Sequence, residues 1–357
     1  MKNKIFKIGG SDYVDSKIRE AIENGRCSAT ITGAWEINRE IRLPSGFTLL
    51  LEDCHLRMAD GSFSNMFVNR HHGTELGRTT EGTDRDITII GRGEAVLDGG
   101  KYNGLSERNW REIGTPIWKN NLLLFTNVED FHIEGIRCIN QRWWALNFIF
   151  CRKGYIGNVD FCASDIGVDE KGNEYHGLVR NKYDEVLVKN ADGIDLRAGC
   201  QDIVIENITG FTEDDSIALT GLNGSVEKAF SVEGLSSDIC RVLIKNIRTA
   251  AFCTNVRLLN QGDVSLHDIT IDSVYDVRHT CPHMDKGLYA VRVGDTRLYG
   301  TRHATKDETY NITIRKVYGA GEHVLSLAGE IGNLVVEDIT AAEGTELILE
   351  KRATEAT

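Results

Sequence analysis

Short aliphatic segments recur along the chain in one four-residue pattern. The pattern is an aliphatic residue, any residue, a small or polar residue and usually a second aliphatic residue. Its copies begin at Ile133, Ile156, Val188, Ile205, Ile244, Ile271, Ile314 and Val336. The β-branched residues alternate with others as in a strand, and the small or polar position suits a turn. Each copy therefore predicts a short strand followed by a turn.

The spacing of these copies predicts a solenoid. Successive copies begin 23, 32, 17, 39, 27, 43 and 22 residues apart, so several intervals lie near 22 or twice 22. A repeat of roughly this length is typical of a leucine-rich array or a parallel β-helix. The leucine-rich pattern L-x-x-L-x-L-x-x-N is absent, and the coils are too irregular for a propeller. The sequence therefore predicts an all-β fold, a parallel β-helix in which each coil contacts only its neighbours.

The ends of such a solenoid need caps. Residues Ser16–Glu23 can form a short amphipathic capping helix with Ile18 and Ile22 on one face. No linker or shift in composition divides the chain, so we expect residues 1–357 to form one domain. Longer intervals between strands predict loops that wall a binding cleft. These loops lie near residues 72–85, 100–119, 165–183, 221–236 and 278–308.

Composition narrows the possible partners. The chain is 41% hydrophobic and 26% charged, with a net charge of −12 that argues against nucleic acid or an anionic membrane as the main partner. Its nine cysteines are odd in number and contain no CxxC pair, which predicts reduced, buried thiols. No segment has the length and hydropathy of a signal peptide or membrane span. A cytoplasmic location is the simplest interpretation, although a secreted protein trimmed of its signal peptide would look the same.

Two clusters of aspartates lie one repeat apart, in Asn190–Asp195 and Glu213–Ala218. Aligning Ile194 with Ile217 places Asp192 over Asp215, an offset of 215 − 192 = 23 residues. One coil of a solenoid would bring these carboxylates to about 4.8 Å, the distance between neighbouring strands. Like charges at that distance raise at least one pKa, which suits acid and base catalysis. We therefore expect a catalytic site here.

Extending the alignment by two strands predicts three columns of side chains. The inward column holds Ile194, Ile217, Val256 and Val291. Two positions before it lie Asp192, Asp215, Thr254 and Tyr289, and just after it lie Asp195, Ala218, Arg257 and Arg292. Simple alternation would put Asp192 on the core side, so the prediction needs a bend near Gly193 and Ser216. The two neighbouring guanidinium groups could bind a carboxylate or sugar hydroxyls.

These motifs resemble those of the polygalacturonase family, glycoside hydrolase family 28. Its N-T-D-G and G-D-D motifs correspond to Asn190–Gly193 and Glu213–Asp215, while segments 140–151 and 87–99 resemble its N-S-P-x-W and I-D-G regions. The resemblance covers roughly Ser16 to Val293. It implies a right-handed, pectate-lyase-like β-helix that hydrolyses pectin-related or uronic-acid-containing glycans with inversion and without a metal or other cofactor.

The resemblance also implies roles for individual residues. Asp214 would be the general acid, and Asp192 and Asp215 would hold and deprotonate the attacking water. Arg292, together with Arg257, would orient the sugar, with Asp195, Thr254 and Tyr289 beside it. The list of implied substrate-binding residues is therefore Arg257, Arg292, Asp195, Thr254 and Tyr289.

The sequence departs from that family at two positions. The histidine of its G-H-G motif is replaced by Thr254, and the lysine of its R-I-K motif by Gly294. These departures argue against a plain polygalacturonan substrate. Three other functions stay open: a polysaccharide lyase, with aspartates on Ca²⁺ and Arg257 as the base, a non-catalytic carbohydrate-binding spike, and a fructan-processing transferase on a similar scaffold.

Some residues have a structural interpretation as well. Asp195 could pair with Arg257, and Trp143 and Trp144 could belong to the core rather than stack on a sugar. For the pair His71 and His72 a loop surface is favoured over a metal site. The recurring amides form a stacked ladder at a turn in our interpretation; they are Asn190, Asn207 and Asn246.

Overall fold

Two parallel sheets run side by side along the chain, and successive strands alternate between them. The computed structural model describes residues 5–101, 119–141, 143–163, 166–168, 171, 173–176, 192–262, 264–281, 287–295 and 302–351. Strands of one sheet are long and bent, and those of the other are short; we call them the long-strand sheet and the short-strand sheet. Strands that follow one another within the same sheet pair in parallel, so each coil lies against the next. The fold is a right-handed parallel β-helix, as predicted.

The long-strand sheet contains β1 (Ser28–Ile37), β3 (Phe47–Met58), β5 (Asp84–Asp98), β7 (Val128–Glu134), β8 (Arg137–Ile139), β10 (Arg152–Cys162), β14 (Gln201–Thr212), β16 (Ile239–Ala251), β18 (Leu266–Asp276), β20 (Thr309–Gly319) and β22 (Gly332–Ala341). The short-strand sheet contains β2 (Ile41–Leu43), β4 (Phe67–Asn69), β6 (Leu123–Thr126), β9 (Trp144–Ile149), β13 (Asp192–Arg197), β15 (Asp215–Gly221), β17 (Thr254–Asn260), β19 (Tyr289–Val293), β21 (His323–Ala328) and β23 (Glu346–Lys351). A separate antiparallel pair is formed by β11 (Ile166–Val168) and β12 (Glu174–His176). The helices are α1 (Gly10–Glu23), α2 (Ser225–Ala229) and two 3-10 turns, Leu76–Arg78 and Arg278–Thr280.

The recurring four-residue pattern forms a corner in each long strand. Its third residue takes a positive φ, between 51° and 73°. The residues concerned are Gly135, Asn158, Asn207, Asn246, Ser273, Lys316 and Asp338. The aliphatic residues on either side of the corner stack from coil to coil: Ile156 pairs with Ile205, which pairs with Ile244. The copy at residues 188–191 lies outside the described residues, and no coil separates Ile156 from Ile205 in this sheet.

Amide side chains stack along the same corner, as predicted. Asn207 Nδ2 donates to Asn158 Oδ1 at 3.1 Å, and Asn246 Nδ2 donates to Asn207 Oδ1 at 2.5 Å. Asparagine tolerates the left-handed backbone that the corner requires, and the stacked amides satisfy one another. The third predicted member, Asn190, lies outside the described residues.

The N-terminal cap is a helix, but its length and inward face differ from the prediction. Helix α1 begins at Gly10 rather than at Ser16. Ile18 is 6% exposed, whereas Ile22 is 52% exposed and faces solvent. A Cβ atom at Gly10 would lie 2.6 Å from the Glu36 carbonyl oxygen, so this glycine lets the first turn lie directly against the first coil. The buried stripe of α1 therefore runs through Val14, Ile18 and Ala21 and leaves out Ile22.

Stacked aliphatic and aromatic side chains fill the space between the sheets. None of the nine cysteines forms a disulfide and six are buried, which confirms the predicted reduced thiols. His72 is also buried: its Nδ1 lies 3.1 Å from Thr126 Oγ1 and its ring stacks on Phe230. Burial lowers the pKa of His72 to about 4, and the predicted surface position is wrong for this residue. Within the described residues, no helix is long and apolar enough to cross a membrane.

Candidate active site

The strands that carry the paired aspartates are in the predicted register. Ile194 pairs with Ile217, and Ile217 pairs with Val256. Val256 in turn pairs with Val291, and all four side chains belong to the hydrophobic core. The predicted ladder is confirmed, and the two aspartate clusters lie on consecutive coils.

The chain bends where these strands begin, so the aspartates face away from the core. Asp215 Oδ2 lies 3.2 Å from Arg257 Nη1, which belongs to the outward column. The next residue, Ser216, turns the other way, with its Oγ 3.0 Å from Thr212 Oγ1. One coil earlier, a Cβ atom at Gly193 would lie 2.6 Å from the Ser216 carbonyl oxygen, so only glycine fits this close approach. The predicted bend is confirmed.

Four aspartates from the two coils form one cluster. The Asp215 backbone N–H donates to Asp192 Oδ1 at 2.9 Å. Asp192 is 8% exposed, Asp215 is 2% exposed and Asp195 is fully buried, whereas Asp214 is only half-buried. Asp214, Asp215 and the Cys253 thiol each place one atom within 4.8 Å of the others. Asp214 is therefore the most accessible acid of the cluster.

Burial and neighbouring charges raise the pKa values of Asp192 and Asp195. Burial raises the pKa of Asp192 well above its usual value, and the charges of Asp195, Asp214 and Asp215 add to the effect. Burial also raises the pKa of Asp195 to about 7, although Arg197 and a hydrogen bond with Asp192 act in the opposite direction. Both shifts favour the protonated form of the carboxyl group at Asp192 and at Asp195.

A cationic partner, Arg257, limits the rise in the pKa of Asp215. Burial raises the pKa of Asp215 to about 6, while Arg257 and, more weakly, the side chain of Thr254 act in the opposite direction. The pKa values of neighbouring carboxyl groups in this cluster therefore differ, with that of Asp215 at about 6 and that of Asp195 at about 7. Carboxyl groups whose environments separate their pKa values are typical of sites for acid and base catalysis.

The two arginines of the outward column lie on neighbouring strands, as predicted, but both contact a carboxylate that the sequence analysis did not identify. Arg257 Nη2 donates to Asp295 Oδ2 at 2.5 Å, and Arg292 Nη2 lies 3.2 Å from Asp295 Oδ1. Arg257 also pairs with Asp215. Arg292 was the available signal for an acid nearby, because its own coil has no carboxylate in the predicted columns. The expected binding of a substrate by both guanidinium groups stays a prediction.

A second buried group surrounds Asp195. Arg197 Nη2 lies 3.4 Å from Asp195 Oδ1, and Arg197 Nη1 donates to Glu227 Oε1 of α2 at 2.7 Å. The guanidinium carbon of Arg197 is 3.8 Å from the ring centre of Trp144. The alternative pairing of Asp195 with Arg257 is therefore wrong, because Arg197, two residues along the same strand, takes that place. Trp144 is 8% exposed and packs into the core, which favours its structural interpretation.

The remaining predicted binding residues continue the column of Asp215. Asp215 pairs with Thr254, and Thr254 pairs with Tyr289. Tyr289 is 8% exposed, and its ring centre lies 5.7 Å from the Arg292 guanidinium carbon. The structure brings these residues together on one face, and their role in binding a sugar stays a prediction.

One set of side chains near the site has metal-ligand spacing. Among the described residues, only Asp214, Asp215 and Cys253 bring three such groups close together. A thiolate in the set suits a soft ion such as Zn²⁺ better than Ca²⁺, which takes oxygen ligands. The donor chemistry therefore fits poorly with the calcium-dependent lyase alternative.

Comparison with known proteins yields structural matches alone. No protein-family model matches the chain, and no curated protein matches it in sequence. An exopolygalacturonase from Thermotoga maritima is similar with a TM-score of 0.58 at 12% identity, over 95% of this chain and 87% of that one. An iota-carrageenase complexed with iota-carrageenan fragments gives 0.60 at 8% identity, over 97% and 87%.

A tailspike protein of E. coli bacteriophage HK620, in complex with a pentasaccharide, is also similar. It gives a TM-score of 0.58 at 12% identity, over 96% of this chain and 61% of the tailspike. At such identities the similarity shows a common fold.

Proposed function

We propose that this chain is a glycoside hydrolase whose reaction takes place at Asp192, Asp214 and Asp215. The observation that carries the proposal is the cluster itself: four aspartates on consecutive coils, three of them buried with raised pKa values. The three structural neighbours add support, because one is an exopolygalacturonase and the other two were solved with bound oligosaccharides.

The proposed mechanism assigns separate roles to the acids. Asp214, the half-buried member, protonates the leaving oxygen. Inverting enzymes hold acid and base roughly 6.5–9.5 Å apart, whereas Asp214 and Asp215 have atoms within 4.8 Å. We therefore assign the base to Asp192, whose own proton passes to Asp195 as it takes one from water. Asp215, held by Arg257, orients that water.

The test begins with a screen for the substrate. Oligosaccharides are incubated with the protein, new reducing ends are measured, and NMR identifies the first anomer released. Asp214→Asn should lower kcat by roughly 10³-fold without unfolding the protein, because general acid catalysis supplies about that factor. The control is Asp202→Asn, which changes an exposed aspartate of the long-strand sheet that pairs with Arg241. Near wild-type turnover by Asp214→Asn would remove Asp214 from the mechanism.

Leaving-group dependence separates the acid from the base. With a dinitrophenyl leaving group, which departs without protonation, the Asp214→Asn variant should recover most of its rate. Asp192→Asn should stay slow with either leaving group, because the water still needs a base. Recovery of Asp192→Asn instead would exchange the two roles.

The same screen distinguishes the other functions. A lyase would release an unsaturated product that absorbs ultraviolet light and would need a neutral Arg257 as base. Arg257 contacts two carboxylates, which favour its cationic form. A non-catalytic binding protein would keep glycan affinity and show no wild-type turnover.

A further inference from the structure

The surroundings of Asp295 carry information about the substrate. Asp295 lies two residues after the end of β19, and its carboxylate is buried. One of its oxygens contacts Arg257 and the other contacts Arg292. A single internal carboxylate thus bridges both cations of the outward column.

A turn at Gly294 places Asp295 beside the two arginines. Gly294 has a φ of 78°, and a Cβ atom there would lie 2.0 Å from the Ala328 carbonyl oxygen. The backbone carbonyl of Asp295 in turn accepts a hydrogen bond, at 2.7 Å, from His303 Nδ1. A side chain at position 294 would displace this turn, so the position of the Asp295 carboxylate depends on the glycine before it.

Charge balance then restricts what can bind above β17 and β19. Arg257 and Arg292 contribute two positive charges, and Asp215 and Asp295 contribute two negative charges. Both terminal nitrogens of Arg257 already contact a carboxylate. Among the described residues, both cations at this position already contact a carboxylate, so a carboxylate on the substrate would add a further negative charge beside Asp215 and Asp295. Like charges in a buried site repel strongly, which is a common means of rejecting the wrong ligand.

We propose that Asp295 is a specificity-determining residue that takes the place of a substrate carboxylate, so that the sugar bound over β17 and β19 is uncharged. This inference rests on the proposed function and replaces the uronic-acid substrate expected from the sequence. Asp295 then offsets the charge of Arg257 and Arg292 and holds them in place, and their guanidinium groups donate hydrogen bonds to sugar hydroxyls.

The test compares charged and neutral glycans on one array. Binding is measured with proteins that carry Asp214→Asn, so that the glycans are not cleaved, and hydrolysis is measured with proteins that retain Asp214. The array contains oligogalacturonates, their methyl esters, and neutral and uronate-containing oligosaccharides of other sugars. The protein with Asp295 should bind neutral glycans at least tenfold more tightly than matched uronates. Asp295→Asn should shift that ratio toward the uronates by roughly tenfold or more, because it leaves two cations with one fewer carboxylate. The matched control is Asp84→Asn, a buried aspartate on a distant coil, which should leave the ratio unchanged.

Each outcome decides between the two proposals. A preference for uronates, or a ratio that Asp295→Asn does not change, overturns the inference while hydrolysis stands. A preference for neutral glycans without any turnover removes the proposed hydrolase and leaves the role of Asp295 in place. If Asp295→Asn does not fold, the wild-type ratio decides: tighter binding of matched neutral glycans by tenfold or more supports the inference, and equal or tighter binding of the uronates overturns it.

Discussion

Asp195→Asn tests the electrostatics of the site through stability rather than activity. Asp195 is fully buried, and its Oδ2 has no hydrogen-bond partner within the described part of the chain. Asparagine has nearly the same shape and cannot ionise. The substitution therefore removes a titrating group while it leaves the packing close to that of the wild type.

The magnitude follows from the pKa of Asp195, which is raised from 3.8 to about 7 in the folded protein. A raised pKa means that the folded state binds a proton more tightly than the unfolded state, so its stabilising effect is present at low pH and is lost as pH rises through 7. At pH 5 the folded group is two pH units below its pKa and the unfolded group is already ionised. At about 1.4 kcal/mol per unit, the free energy of unfolding should fall by about 3 kcal/mol between pH 5 and pH 8 from this group.

Urea unfolding of both proteins at pH 5 and pH 8, followed by tryptophan fluorescence, measures this difference. The wild type should lose about 3 kcal/mol more than Asp195→Asn over that interval. Carboxylates with lowered pKa, such as Glu308 at about 2, titrate below this window and do not interfere. Loss of the Asp195 charge also relieves Asp192, which acts in the same direction. Equal pH dependence in the two proteins would refute the reasoning that burial dominates this group.

Three further predictions concern the scaffold. Gly193→Ala should lower kcat by roughly tenfold or more and have a smaller effect on Tm, because the new Cβ atom would lie 2.6 Å from the Ser216 carbonyl oxygen and displace Asp192. Unchanged turnover would show that the start of this strand can shift without effect on the site. At the corner, Asn207→Ala should lower the free energy of unfolding in urea by about 1 kcal/mol, and Asn207→Gly should lower it less, because alanine is strained at a φ of 57° and glycine is not. Equal losses in the two variants would mean that the hydrogen bonds of the amide ladder matter more than the backbone strain. On the cap, Ile18→Ala should lower the free energy of unfolding by about 2–4 kcal/mol and Ile22→Ala by less than about 0.5, and similar losses would mean that both side chains are buried.

The register of the site was predictable from the sequence because two simple patterns agree. Strand alternation fixes which side chains face the core, and a one-residue slip would expose Ile194 and Ile217. The aliphatic positions therefore locate the aspartates one coil apart before any coordinates are known. The same reasoning located the corners, since Asn207 and its equivalents recur at one position of each coil.

The partners of the site residues were harder to predict because they come from segments that do not repeat. Glu227 lies on α2, a short helix inside an interval predicted to be a loop. Asp295 lies beyond a glycine turn whose direction depends on its φ. Arg197 was the exception: it stands two residues after Asp195 on one strand, so alternation alone places both on the same face. The start of α1 at Gly10 was missed for a related reason. A glycine that allows close packing does not contribute to the hydrophobic periodicity from which a helix is predicted.

A column of acids in a β-helix is a costly arrangement, and this cost explains the positions of the cations. Stacked strands hold carboxylates at about 4.8 Å whether or not they repel. Asp195 and Asp215 each have an arginine within 3.4 Å, whereas Asp192 accepts a hydrogen bond from the Asp215 backbone and has no arginine contact within the described part of the chain. An arginine beside Asp192 would favour its ionised form. Burial and the neighbouring acids instead raise the pKa of Asp192, so it can hold the proton that it passes to Asp195 in the proposed mechanism.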